Sequence, residues 1–333
     1  KTFNVMEPVI IISIAVSFLA SWLTVRKWIR KAPEIGILGF DMNKPGLPKV
    51  AEMGGIGVVF GFGIGMLIYM GLMTFYLEQP AYVSILAVLC AVLISCIIGM
   101  MDDMLGWKRG LRQWQKPIFT FFAALPIMVI NAGQSTMNLP LIGSIDFGIL
   151  YPLIIVPIGI VGASNAYNMV AGYNGLEAGM GIIILSAMGY FAYTSGSQNA
   201  MVLALCMVSA LIAFLYFNWH PARIFPGDTM TYSVGALAAC IAILGDMERI
   251  AIILFLPYAV DFFLQAKGGF GKEAFAKVND DGSLNKPYSG IFHLTHLAIA
   301  LIGRWKGKVY ERDVVLLLCG MEMAIAGLCI YAY

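Results

Sequence analysis

Residues 81–103 read AYVSILAVLCAVLISCIIGMMDD. The stretch 81–101 is free of charge and as long as the about 20 residues that carry a helix across a bilayer. Two adjacent carboxylates, Asp102 and Asp103, stand where it ends. Comparable apolar stretches recur at 7–25, 54–76, 115–131, 149–170, 175–194, 198–217, 229–246, 249–265 and 313–332. The ninth of the ten is short, and the fifth is interrupted by Pro152 and Pro157. The chain is 60% hydrophobic and 12% charged with a mean hydropathy of +0.82, against roughly 25% charge in soluble domains. These features predict an all-α polytopic membrane protein, a single domain over residues 1–333 with about ten transmembrane helices. The first stretch is span-length and lacks a small-residue cleavage site, which predicts a retained helix.

Charge orients that bundle. With ten spans, 19 of the 21 Lys and Arg residues fall on one side, leaving Lys1 and Arg249 opposite. The positive-inside rule makes the rich side cytoplasmic and puts both termini outside. The six cysteines lie within apolar spans without metal-ligand spacing, as small packing residues would. A net charge of +2 singles out no partner, and no nucleic acid is expected among them. The lipid bilayer is the one partner that composition itself demands.

The unusual polar residues gather on the basic side. Asp102 and Asp103 sit at a helix C-terminus, where the macrodipole disfavours acids; they are either solvated interface residues or groups facing something positive. Lys108, Arg109, Arg112 and Lys116 follow, with Lys116 in the first turn of the next span. In NAYNMVAGYNGLEAG (165–179), Asn165 and Asn168 share a helical face, and Asn174 and Glu177 follow across a Gly-rich turn. Asn165 taken alone reads as interhelical hydrogen bonding. In NWHPARIFPGDT (218–229), Asp228 opens the eighth span, a favourable place for an acid and also for a plain N-cap. Few carboxylates, several amides and nearby cations suit Mg²⁺ shared with phosphates. Gly57, Gly61 and Gly65 repeat every fourth residue and predict close helix packing. The residues by themselves reach as far as a phosphate-handling membrane enzyme.

At these motifs, DDMLG…QWQK, NAYNMVAGYNGLEAG and NWHPARIFPGDT, the chain resembles the polyprenyl-phosphate N-acetylhexosamine-1-phosphate transferase superfamily. The likeness runs from PKVAEMGG to YERDVV and is nearer to the eukaryotic and archaeal dolichyl-phosphate GlcNAc-1-phosphate transferases than to the peptidoglycan branch. It implies transfer of GlcNAc-1-phosphate from UDP-GlcNAc to a polyprenyl phosphate, dolichyl or undecaprenyl, releasing UMP in the first membrane step of glycan assembly. It implies Mg²⁺, with Mn²⁺ as a substitute, on Asn168 and Asp228. It further implies Asp102, Asp103 and Lys116 in the catalytic centre and Asn174 and Phe225 at uracil. Asn165, Glu177 and Arg223 complete the expected substrate site. A homodimer in a cell or ER-like membrane, its active site facing the cytoplasm, is the corresponding expectation.

One departure bears on the sugar. Family members usually carry a His/Arg motif in the last cytoplasmic loop, whereas residues 266–292 contain neither His nor Arg. Lys267, Lys272, Lys277 and Lys286 are the cations there, and His293 and His296 follow, spaced for one face of an interfacial helix with the rings snorkelling. UDP-MurNAc-pentapeptide or another UDP-HexNAc is the alternative donor on the same chemistry. An ion-coupled transporter is the alternative of a different class, although transporters place ionisable residues near midplane.

Overall fold

The computed structural model describes residues 3–79, 82–105, 110–139 and 143–333. Lys108 and Arg109 therefore lie outside the described residues. Among the described residues, thirteen helices follow one another: α1 (Phe3–Glu34), α2 (Gly55–Phe75), α3 (Val83–Leu105), α4 (Gln115–Phe121), α5 (Leu125–Val129), α6 (Val156–Met169), α7 (Leu176–Thr194), α8 (Gln198–Asn218), α9 (Gly227–Leu244), α10 (Glu248–Leu254), α11 (Leu256–Lys267), α12 (Leu294–Lys306) and α13 (Glu311–Ala332).

Every predicted apolar stretch is helical, but the count of ten spans is corrected. Among the described residues, eight helices are long and apolar enough to cross a membrane. A ninth span results if α10 and α11, bent by 54° at a short break, are counted together. The apolar run Gln115–Val129 is interrupted by a tight turn at Phe122–Ala124. At 1.5 Å per residue it reaches only about 22 Å, short of the ~30 Å hydrocarbon core. The stretch expected to break at its prolines is a span over Tyr151–Met169. It opens with a wide π-turn at Tyr151–Ile155; Pro152 within that turn and Pro157 at the start of α6 lack backbone donors.

The structure also adds strands that hydropathy did not suggest, three antiparallel two-stranded pairs among the described residues of the connections. Strands β1 (Leu38–Phe40) and β2 (Lys49–Ala51) pair between α1 and α2. Strands β3 (Thr136–Leu139) and β4 (Gly143–Asp146) pair between α5 and α6, and β5 (Lys277–Val278) and β6 (Leu284–Asn285) between α11 and α12.

Helix α9 is the axis of the bundle: 83% of its span is buried, against 28% for α1. Small residues let backbones meet around it. A Cβ on Gly235 would lie 2.7 Å from the Ser164 Cα, so α6 packs directly on α9. A Cβ on Gly99 would overlap the Asp228–Thr229 peptide, so the end of α3 lies against the start of α9. The predicted glycine repeat behaves the same way. Cβ atoms on Gly61 and Gly65 would sit 2.6 and 2.7 Å from the Cβ atoms of Ser21 and Ser17 on α1. Those serines in turn donate to the Ala210 and Cys206 carbonyls of α8 at 3.0 and 2.7 Å. Close backbone approach with interhelical hydroxyl bonds is how helices associate where lipid offers no hydrophobic drive.

Candidate active site

Four helix ends converge at one end of the bundle. Asp102 and Asp103 come from the last turn of α3, Lys116 from the first turn of α4, Asn168 from the last turn of α6, and Asp228 from the first turn of α9. The Lys116 ammonium lies between two carboxylates, 2.7 Å from Asp102 Oδ2 and 3.1 Å from Asp228 Oδ2. Asp102 also accepts the Leu111 N–H at 2.6 Å, which ties the loop before α4 to α3.

The adjacent acids of α3 do different things. Asp103 Oδ1 accepts the Asp228 N–H at 2.8 Å; Oδ2 accepts the Thr229 N–H at 3.0 Å and also the Thr229 hydroxyl. A carboxylate from another helix thus satisfies the free donors of α9 where its dipole is positive. Gly227, at φ +69, presses against this carboxylate, and a side chain there would be both strained and obstructed.

Asn168 Nδ2 reaches Asp228 Oδ2 at 3.2 Å, and its Oδ1 accepts the Thr231 hydroxyl at 2.7 Å. A hydroxyl can donate or accept, so Thr231 supports either orientation of the amide. With the amide turned, Asn168 and Asp228 would offer two adjacent oxygens. Among the described residues, no three of His, Cys, Asp and Glu are grouped to hold a metal ion. One carboxylate and one amide suit Mg²⁺, which retains waters and takes its remaining ligands from phosphate.

A second polar cluster, centred on Glu311 at the start of α13, adjoins through the 170–175 turn. Glu311 is buried. Its Oε1 accepts the Asn174 N–H at 2.8 Å, and its Oε2 meets Lys44 and the His220 Nδ1, the latter at 3.0 Å. Asp41 Oδ2 accepts from Asn174 Nδ2 at 3.0 Å and pairs with Lys44 at 3.3 Å. Asn43 Nδ2 donates to the Gly172 carbonyl at 2.9 Å. The loop between β1 and β2, the turn before α7, the loop before α9 and the start of α13 are therefore held together. Ile224 bridges Ala51, and the Gly54 N–H donates to the Phe225 carbonyl at 2.9 Å, fixing the approach to Asp228. Beside that strand, burial and then the Asp103 charge push the Glu52 carboxyl up to about 7.

Residues 85–246 match glycosyl transferase family 4. A Saccharolobus solfataricus protein, provisionally named UDP-N-acetylglucosamine–dolichyl-phosphate N-acetylglucosaminephosphotransferase, is 38% identical over 95% of this chain and 94% of its own. The chain belongs to glycosyl transferase family 4. A Dictyostelium discoideum protein bearing that same name without qualification is 28% identical over 72% of this family 4 chain and 67% of its own. A Streptococcus thermophilus phospho-N-acetylmuramoyl-pentapeptide-transferase is 33% identical over 55% of each chain.

Within this family 4 chain, the structure brings Asp102, Asp103, Lys116, Asn168 and Asp228 together and distributes the other expected site residues around them. Asn165 donates to the Thr120 hydroxyl and the Val161 carbonyl, both at 2.8 Å, and links α6 to α4. Glu177 is buried with Oε1 accepting the Gly172 N–H at 2.7 Å, so it shapes the turn that carries Asn174. Phe225 is half-buried beside Gly39 and Glu52. Arg223 lies over the Tyr216 and Phe217 rings at 5.2 and 4.8 Å.

The expected snorkelling histidines are corrected. His293 and His296 are both buried, and His293 is extended ahead of α12 rather than on its face. The His293 Nε2 meets the Lys272 carbonyl at 2.9 Å, and burial pulls the His296 imidazole down to about 4. Lys272 itself sits 4.9 Å from the Tyr288 ring centre. Asp41, Glu52 and Glu311 were missed as site residues; an acid between apolar stretches gives no sign of distant neighbours such as Asn174 for Asp41 and Glu311 or Asp103 for Glu52.

Proposed function

We propose that this protein transfers GlcNAc-1-phosphate from UDP-GlcNAc to a polyprenyl phosphate of the dolichyl kind, giving polyprenyl-diphospho-GlcNAc and UMP. The Asp102–Lys116–Asp228–Asn168 cluster at converging helix ends carries the reading, because it offers one fixed cation and one cation-binding corner to a pyrophosphate. The names of the two full-length and partial dolichyl-phosphate relatives support this acceptor and sugar. The Lys and Arg residues in the connections around the site, Lys44, Lys116 and Arg223 among them, support a cytoplasmic site.

In this account an oxygen of the lipid phosphate attacks the β-phosphorus of UDP-GlcNAc, and the bond to the bridging oxygen breaks so that UMP departs. Asp228 and Asn168 would hold Mg²⁺, which neutralises pyrophosphate charge when bound. Lys116, oriented by Asp102, contacts a phosphate oxygen. Asp103 fixes the first turn of α9 and hence the position of Asp228. With a second phosphate pKa near 6, roughly nine-tenths of the acceptor is dianionic at pH 7, so neither acid of α3 is needed to remove a proton. Phosphoryl transfer rests mainly on positioning and charge neutralisation, which is what these contacts supply. The network on Glu311 holds Asn174, and backbone bonds to Ala51 and Gly54 hold Phe225, where the nucleotide base is proposed to bind.

The partial likeness to the muramoyl-pentapeptide transferase favours a second reading, UDP-MurNAc-pentapeptide as donor on the same centre. UMP release by purified protein with dolichyl phosphate and each donor in turn tests the choice. Turnover with UDP-GlcNAc and none with UDP-MurNAc-pentapeptide is expected, and the reverse selectivity would replace the reading.

A further inference from the structure

Tyr232 lies one helical turn beyond Asp228 on α9 and is fully buried. Its hydroxyl makes no hydrogen bond of good geometry; it stands close enough to the Asn168 and Asp228 side chains for weak polar contact only. The Lys116 ammonium stands 5.7 Å from the centre of its ring. Three groups around this point are already engaged: Lys116 by two carboxylates, Asn168 by Thr231 and Asp228, and Asp103 by the α9 backbone. A buried donor left unpaired is destabilising, and such groups call for an explanation when they occur. Burial of the ring does not need the hydroxyl, since phenylalanine would fill the same volume and keep the contact with Lys116.

We propose that the Tyr232 hydroxyl is a phosphate-contacting donor of the transfer reaction, left unpaired until a phosphoryl oxygen enters between Asp228 and Lys116. The inference rests on the functional reading above. An anion arriving there draws Lys116 toward itself and uncovers the phenol, which then donates to a non-bridging oxygen. A donor held ready in a low-dielectric site acts most strongly on the charge that develops during transfer. The oxygen belongs either to the pyrophosphate of the donor or to the acceptor phosphate, and the two are separable by kinetics.

The test is Tyr232→Phe in the full chain, with three readouts. The thermal midpoint is expected to stay level or rise, since the variant removes only an unpaired buried hydroxyl. The turnover number is expected to fall about a hundred- to a thousandfold, the scale on which single preorganised donors act. A rise in KM for UDP-GlcNAc assigns the contact to the donor pyrophosphate, and a rise for the lipid phosphate assigns it to the acceptor. The third readout does not depend on turnover: the thermal shift given by Mg²⁺ with inorganic pyrophosphate should be smaller in the variant. If wild type gives no UMP yet the variant loses this shift, the phosphate contact stands and the assigned reaction fails. Wild-type kinetics together with an unchanged pyrophosphate shift would overturn the proposal, as would a midpoint falling in step with activity.

Discussion

Asp103 accepts the backbone N–H of Asp228 at 2.8 Å across 125 residues of sequence. The carboxylate that ends one span therefore caps the helix that carries the proposed metal ligand, and its neighbour Asp102 instead pairs with Lys116 at 2.7 Å. Two acids that look equivalent in sequence have different tasks, and variants should separate them.

Asp103→Asn keeps one acceptor but turns an N–H donor toward the donors of α9. It should lower stability by about 1–2 kcal/mol, the range for losing a helix cap, and reduce activity. Asp102→Asn should reduce activity with a smaller change in midpoint. Both activity defects should persist undiminished from pH 6 to pH 9, where almost no protonated acceptor remains; recovery toward wild-type rates at pH 9 would restore a general-base role.

Lys116→Met should leave Asp102 and Asp228 without their shared cation. Removing one partner of a buried ion pair costs about 3–5 kcal/mol, and turnover should be lost. Because the two carboxylates would then face a vacant cation position, Mg²⁺ should raise the midpoint of the variant more than that of wild type. Equal Mg²⁺ shifts measured by thermal denaturation would remove Lys116 from the cation site.

Much of this architecture was legible in the sequence because hydropathy is a local property. All ten apolar stretches are helical, and the corner formed by Asn168 and Asp228 was visible as amides and an acid at span ends. What was not legible depends on which helices touch. Gly99 and Gly235 admit α3 and α6 to α9, and only that packing turns Asp103 into a cap. The partners of Glu311 come from the loops at Lys44, Asn174 and His220, which no spacing rule connects. Length alone also could not tell that residues 115–129 fold as a short, interrupted run.

Asn174 tests the second cluster. Asn174→Ala should raise the KM for UDP-GlcNAc with a smaller effect on the turnover number, as loss of ground-state binding does. Since Asn174 Nδ2 rests on Asp41 at 3.0 Å, Asp41→Asn should shift the same constant in the same direction. Unchanged KM values in both variants would detach this cluster from the nucleotide.

Glu52 gives a pH signature. Its carboxyl is held up to about 7, against the usual 4.5, so the folded protein retains a proton that the unfolded chain releases. That contribution is fully present below pH 4.5 and is lost as pH rises through about 7, by linkage amounting to roughly 1–3 kcal/mol. Glu52→Gln should flatten the decline between pH 5 and pH 8 in a midpoint-versus-pH series. A variant whose midpoint declines as steeply as wild type would show that another group is responsible.

The most direct test of the account is UMP release from UDP-GlcNAc and dolichyl phosphate by purified wild type and by Asp228→Ala, with Mg²⁺ present and the fold of each verified by its thermal midpoint. The account predicts UMP in equal amount to lipid-linked diphospho-GlcNAc for wild type. For folded Asp228→Ala it predicts less than about a tenth of that rate, a loss above 1.36 kcal/mol in transition-state stabilisation. Substantial UMP release by the folded variant, or none by wild type, would contradict it.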